Sequence, residues 1–243
     1  MKGVILTINP LATIVDLSHQ IPSHDIAAGA HVLHSCYRYF PSGTIHVAVV
    51  DPGVGSGRRP LAVMSSRYFF IAPDNGLLSH VVQEEGDVEV REIENMQFRL
   101  PAQGQTFDGR DVFAPAAAWL TKGEPFSSCG RLVEQYKTLE IASPHWEKMA
   151  LIGGVIYVDR FGNLITNLTR GHVDEVRQMT KRPNPQIRVA SFLIDGLVDS
   201  YADGKEDSPC AVINSDGRLE IFLKESSASA RLAVDRYETV TLS

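Results

Sequence analysis

Hydrophobic positions in the first half of the chain switch between two periods. From Asp25 to Phe40, Ile26, Ala30, Leu33 and Tyr37 recur at steps of three and four, which predicts a helix with Ser23 as its N-cap. "TIHVAVV" (44–50) is almost continuously apolar, the pattern of a strand covered on both faces. "VILTI" (4–8), "ATIVDL" (12–17), "PLAVMS" (60–65), "YFFIAP" (68–73) and "VEVREI" (88–93) read as further strands, with the turn signal Asn9-Pro10 between the first two. "LLSHVVQ" (77–83) and residues 109–121 read as helices. Strands alternating with helices predict an α/β layered domain with a mostly parallel sheet over residues 1–140.

The pattern changes after residue 140. "GGVIYVDRFGNLITNL" (153–168) is two apolar runs around a turn that carries Gly162. "QIRVASFLI", "PCAVINSDGRLEIFL" and "YETVTLS" continue as short strands between Gly, Asp and Asn turns, and only 226–232 looks helical. Residues 149–243 are therefore expected to form an all-β, barrel-like domain. The boundary is expected in "EIASPHWEKMA" (140–150), where Pro144 and charged residues break the periodicity.

Composition narrows the function classes. The 243 residues are 44% hydrophobic, enough for a sizeable core, and the net charge of −6 argues against general binding to nucleic acid or anionic membranes. No apolar run approaches the ~20 residues that span a bilayer. Three widely spaced cysteines, with no CxxC pair, suit a reducing cytoplasm and offer little to a metal. A soluble cytoplasmic protein is the expectation.

Three stretches could carry chemistry. In "VVDPGVGSGRRPLAV" (49–63) a buried strand ends at Asp51, where ligands bind in open α/β sheets, and a glycine-rich loop leads to Arg58 and Arg59. Either arginine could fold back on Asp51, as catalytic machinery or as a structural pair. The loop lacks the spacing of a phosphate-binding fingerprint. In "QTFDGRDVFAP" (105–115), Asp108 could cap a helix and Asp111 could serve its first turn, or the stretch could border an active site. In "DRFGNLITN" (159–167), Phe161 between Asp159 and Asn163 could stack a planar ring, or it could sit in the barrel core. "NSDGRLEI" (214–221) has the same ambiguity. His19 and His24 bracket a helix start without the company a metal needs.

Together, "MKGVILTINP", "FPSGTIHVAVVDPGVGSGRR", "APDNGLL", "TFDGRDVFAP" and "DRFGNLITN" resemble, in order and spacing, the S-adenosyl-L-methionine hydroxide adenosyltransferases. These adenosine-forming hydrolases are relatives of the fluorinating and chlorinating enzymes. The resemblance covers Met1 to about Thr241. It implies an α/β N-terminal domain, a β-barrel C-terminal domain, and a homotrimer with substrate held between subunits. It also implies S-adenosyl-L-methionine as substrate, with no metal or other cofactor. The family's chain normally has a further strand and loop, ending in "TDFG", before the Met-Lys-Gly motif, and here that first strand is expected to be missing. An internal methionine mistaken for a start or a genuine truncation would each produce this.

Carried over residue by residue, the resemblance makes Asp51 and Arg58 two members of an Asp–Arg–His set that positions and activates water. The third, normally His, aligns with Asp108. Val54 and Gly109 replace hydroxyl residues of the fluorinating relatives, and Asp51 replaces an aromatic, which favours water over halide. Asp159 is expected at the methionine ammonium with Ser215 nearby. Phe161 and Tyr201 are expected to sandwich the adenine, with Asn163 and the backbone near Glu225 and Ser227 at its edge, and His24 beside the ribose. The implied reaction is displacement of methionine from ribose C5′ by water. Two alternatives stand beside it, a degenerate binder of S-adenosyl-L-methionine and a halide-using adenosyltransferase.

Overall fold

The computed structural model describes residues 1–101, 103–140 and 143–243. The chain divides into two compact units, Met1–Glu140 and Ile141–Ser243. Residues 141 and 142 of the expected boundary segment lie outside the described residues.

In the first unit, helix α1 (Lys2–Ile8) and helix α2 (Ile26–Cys36) precede strand β1 (Ile45–Val47). Strands β2 (Pro60–Met64) and β3 (Phe69–Pro73), helix α3 (Ser79–Glu85), strand β4 (Glu89–Glu92) and helix α4 (Ala114–Thr121) follow. The sheet runs β1-β3-β2-β4. The α/β class stands, but the sheet is mixed rather than mostly parallel: β1 and β3 are parallel, whereas β2 pairs antiparallel with both β3 and β4. A short reversal between β2 and β3 explains this, because two strands joined by a few residues can only pair antiparallel.

Alternation along the sheet sends side chains to two cores. Val63, Phe70 and Ala72 pack with Leu33 and Tyr37 of the α2 side and Val81 of α3. Ala62 and Ile71 pack with Phe113 and with Ala116 and Ala117 of α4. Helices on both faces are why the strands read as continuous apolar runs.

Three local expectations for this unit are corrected. Residues 4–8 belong to α1, with Ile5 N–H bonded to the Met1 carbonyl and Asn9 N–H to that of Ile5. Residues 12–17 form no regular element. A short apolar run has no period of its own, and α1 gains its packing from α4. The cap of α2 is Asp25, which accepts from Ala28 N–H, rather than Ser23.

The second unit contains β5 (His145–Glu147), β6 (Ala150–Val158), β7 (Leu164–Thr169), helix α5 (Arg170–Thr180), β8 (Gln186–Val189) and β9 (Phe192–Asp195). It ends with β10 (Cys210–Ile213), β11 (Arg218–Phe222), helix α6 (Ala228–Leu232) and β12 (Thr239–Leu242). All pairings are antiparallel, in the order β10-β11-β7-β6-β12-β8-β9, with β5 beside β6. Strand β6 pairs with β12 through Leu151–Gly154 and with β7 from Val155 on, so it turns a corner of a barrel-like sheet at its two glycines. The core gathers Leu164, Leu168, Ile187, Leu219, Ile221 and Val240.

Helix α5 was not expected. Its sequence, RGHVDEVRQMT, buries only Val173 and Val176, so its apolar stripe is too narrow to register as a helical period. A capping box starts it: Thr169 Oγ1 accepts from His172 N–H while His172 Nδ1 accepts from Thr169 N–H.

Candidate functional site

The first unit assembles an ionic trio. Residues beyond β1 stay in register with β3, where Ala48 N–H bonds the Ile71 carbonyl, and Asn75 Nδ2 holds the Val50 carbonyl. Asp51 therefore sits at the carboxyl end of the β1 run, where open α/β sheets place ligands. Its loop folds tightly, with Val54 N–H bonded to the Asp51 carbonyl and Ser56 N–H to that of Gly53. Gly55 takes a φ of +76°, and a Cβ there would lie 2.8 Å from the Gln105 carbonyl oxygen. Only glycine lets this loop close against the 103–108 segment.

Loop closure brings Arg58 between two carboxylates. Its Nε donates to Asp51 Oδ1 at 3.0 Å, and its Nη2 donates to both Asp51 Oδ2 and Asp108 Oδ2, the latter at 2.5 Å. The Arg58 side chain is 5% exposed, Asp51 6% and Asp108 18%, so the trio is shielded except on the Asp108 side. The guanidinium lies 5.4 Å from the centre of the Phe113 ring, a cation–π contact. Burial draws the Arg58 pKa down, but hydrogen bonds to Asp51 and Asp108 outweigh it and raise the pKa above its ordinary value. The guanidinium is thus a permanent cation facing two carboxyl groups.

Asp108 precedes a π-helical turn, Gly109–Phe113, but makes no capping hydrogen bond from its side chain. The carboxylate is committed to Arg58, so the helix-cap role is set aside. Asp111, one turn on and buried, pairs with Arg110 at 2.6 Å. Arg59 does not reach Asp51. It pairs with Asp74 through Nη2 at 2.6 Å and Nε at 2.9 Å, and Asp74 also accepts from Lys137 N–H.

Asp51 and His24 line one cavity of about 420 Å³, with Gly29, Val49, Val50 and Leu77 among its walls. His24 has a φ of +69°, a left-handed backbone that places it just before the α2 cap. The structure thus brings His24 and Asp51 to one cavity, which neither Arg58 nor Asp108 lines.

The second unit holds its own cavity of about 850 Å³. Asp159, Phe161, Asn163, Tyr201, Glu225 and Ser227 all line it, although they come from three separate stretches of chain. Asp159 organises the turn after β6: Oδ1 accepts from Phe161 N–H at 2.9 Å and Asn163 N–H at 2.8 Å, and Oδ2 accepts from Asn163 Nδ2 at 3.1 Å. Gly162, at φ +84°, lets the turn press against α6, because a Cβ there would fall 2.0 Å from Ser227 Oγ. Phe161 is 78% exposed, so it is not a barrel-core residue. Ser215 stands apart: it lies exposed in the turn between β10 and β11 and does not line the cavity.

Glu220 was missed by sequence reasoning. It is 3% exposed, and accepts from Tyr201 Oη at 2.6 Å and Asn214 Nδ2 at 2.9 Å. A lone charge inside the apolar run "LEIFL" was the available signal. Among the described residues, no group of three or more His, Cys, Asp or Glu could hold a metal ion, and no helix is long and apolar enough to cross a membrane.

Comparison with known proteins places both halves. Residues 1–130 match the family model described as SAM hydroxide adenosyltransferase N-terminal domain, and residues 153–241 match its C-terminal domain. The (R)-S-adenosyl-L-methionine hydrolase of Methanocaldococcus jannaschii is 32% identical over 252 residues, covering 100% of this chain and 89% of the relative. The enzyme of the same name from Thermus thermophilus is 34% identical, covering 96% and 89%. A fluorinase of Actinoplanes sp. is 30% identical, covering 90% and 84%. The crystal structure of an uncharacterized conserved protein from Thermotoga maritima superposes with a TM-score of 0.89 at 33% identity, over 99% of this chain and 92% of that one. With both domain types matched in order, the chain belongs to the SAM hydroxide adenosyltransferase family.

Proposed function

We propose that the protein hydrolyses S-adenosyl-L-methionine to adenosine and L-methionine. The observation that carries this reading is the Arg58 bridge between Asp51 and Asp108, within the loop motif of a family whose members include named S-adenosyl-L-methionine hydrolases. A water oxygen bonds to ribose C5′ as the C5′–S bond breaks. The electron pair stays on sulfur, and neutral methionine leaves. Because a sulfonium is already a good leaving group, the protein's task is to orient water, take its proton and exclude competing solvent.

The residues divide that task. Arg58 stabilises developing negative charge on the attacking oxygen, and Asp51 fixes the guanidinium through two hydrogen bonds. One cation against two carboxylates leaves a formal negative excess that favours the sulfonium. Asp108 is the group on the exposed side of Arg58 and accepts the water proton. Phe161 and Tyr201 stack the adenine, Asn163 and the Glu225–Ser227 backbone meet its edge, Asp159 receives the methionine ammonium, and His24 borders the ribose. Substrate held between copies of a homotrimer in the cytoplasm is part of this reading, and light scattering tests the trimer.

Water is favoured over halide because neither Val54 nor Gly109 offers a hydroxyl to hold an anion. Incubation in oxygen-18 water tests the reaction. The label should enter the adenosine 5′-hydroxyl; release of unlabelled adenosine, or none, overturns hydrolysis. A chloride-dependent nucleoside product would favour the halide-using alternative, and tight binding without turnover would favour the degenerate one.

A further inference from the structure

We propose that Glu220 is a positioning residue for the adenine-stacking face, acting through the hydroxyl of Tyr201. The proposal rests on the reading of the second-unit cavity as the nucleoside site. Tyr201 needs such a support. It lies on a three-residue 3-10 turn, Tyr201–Asp203, inside the loop between β9 and β10, and it is 49% exposed. A ring on a loop has few contacts to hold its plane, and stacking is lost when the plane tilts.

Two contacts fix it. The ring makes a T-shaped contact with Phe222, with centroids 5.0 Å apart and planes at 86°. The tip is tied to the barrel, where Tyr201 Oη donates to Glu220 Oε1 at 2.6 Å. Glu220 cannot swing to follow a moving ring. It stands in β11, paired with Val212 on one side and Ile165 on the other, and Asn214 Nδ2 holds its second oxygen at 2.9 Å. Both carboxylate oxygens are thus engaged on a strand, and the loop aromatic inherits the strand's precision. Burial, the hydrogen bond to Glu220 and the nearby charges of Glu220 and Asp159 all push the phenol's pKa upward, so the hydroxyl remains a donor. A buried carboxylate that only served the fold would not need to engage a half-exposed ring at the mouth of a cavity.

The test uses the full chain, with adenosine binding by calorimetry and steady-state turnover of S-adenosyl-L-methionine. Tyr201→Phe keeps the ring and removes the tie. Its adenosine affinity should fall by up to about fivefold, the most that one mis-set stacking pair can lose, with KM rising in step and kcat nearly unchanged. Glu220→Leu, which removes both acceptor oxygens, should give a similar KM effect. The double variant should be no weaker than Tyr201→Phe alone, because both changes remove one interaction. Tyr201→Phe with wild-type affinity and KM overturns the proposal, as do additive losses in the double variant. A wild-type chain that neither binds adenosine nor releases it overturns the reading of the cavity and this inference with it. Wild-type binding alongside unaltered variants overturns this inference alone.

Discussion

Nη2 of Arg58 lies 2.5 Å from Oδ2 of Asp108, fifty residues further along the chain. The contact makes Asp108 part of a shared ionic system with Asp51, at the position where the family resemblance leads one to expect histidine. Asp108→Asn keeps the size and one acceptor oxygen but cannot take a proton from water. Loss of a general base typically costs 10²–10⁴-fold, so kcat should fall by about 10²-fold or more while substrate affinity changes little. Asp108→His should introduce a rate titration near ~6.5, the ordinary imidazole range. Stopped-time assays of adenosine release across pH check both; an Asn variant with wild-type kcat removes Asp108 from the mechanism.

Arg58 should matter to folding as well as to turnover. Arg58→Met leaves two shielded carboxylates without their cation, and breaking a buried pair from one side costs roughly 3–5 kcal/mol. Urea unfolding should show a loss of that order. Arg58→Lys should recover part of the stability but little activity, because a single ammonium cannot span both carboxylates as the planar fork does. Equal midpoints for Arg58→Met and wild type would show that the trio is decoupled from stability.

Phe161 should separate binding from folding. Its side chain is 78% exposed, so Phe161→Ala removes little buried surface and should leave the melting temperature nearly unchanged. One well-placed aromatic pair contributes about 1 kcal/mol, or roughly fivefold in affinity. Adenosine titration should therefore weaken by about that factor, with kcat preserved. Unchanged affinity would place the adenine elsewhere.

His46 provides a pH signature unrelated to catalysis. The ring is buried and stacks on Phe70 with centroids 5.3 Å apart, and its Nε2 has no hydrogen-bond partner among the described residues. Burial pushes its pKa down from 6.5 to about 4. Above the unfolded value both states hold the ring neutral. As pH falls through that value, the unfolded chain takes up a proton that the folded chain refuses until about pH 4. Stability is therefore lost between those limits, by on the order of 3 kcal/mol. His46→Phe removes the proton site and keeps an aromatic ring, so the difference between variant and wild type should widen in the variant's favour on acidification. Parallel stability curves from pH 7 to 4 would contradict this.

Sequence legibility followed the range of each interaction. The turn at Asp159–Asn163 was readable because its hydrogen bonds span four residues, and Gly162 is needed within the same span. The apolar runs at 60–64 and 69–73 were readable because burial on both faces of a sheet leaves an unbroken hydrophobic string, whereas the run at 44–50 pairs as a strand only over Ile45–Val47, at the sheet's edge, with His46 its one buried residue. The antiparallel, barrel-like sheet of the second unit followed from closely spaced turns between alternating strands, although helix α5 did not. The loop patterns singled out Asp51, Arg58 and Phe161 as candidates, and motif order carried the family and, through it, their expected roles.

Other features depended on partners far along the chain. Residues 4–8 are equally apolar as a strand or a helix, and packing against α4 settled them as α1. Ser215 shares its sequence neighbourhood with Glu220, yet the β10–β11 turn carries Ser215 away from the cavity while strand pairing directs Glu220 to Tyr201. Asp108 by itself reads as a helix cap, because Asp before a helix is ordinarily one. What redirects its carboxylate is Gly55, which lets the 51–58 loop close on the 103–108 segment and deliver Arg58. The sequence determined which local shapes each segment could take; the tertiary structure decided which charges met, because loop closure over fifty residues leaves no periodic trace in the chain.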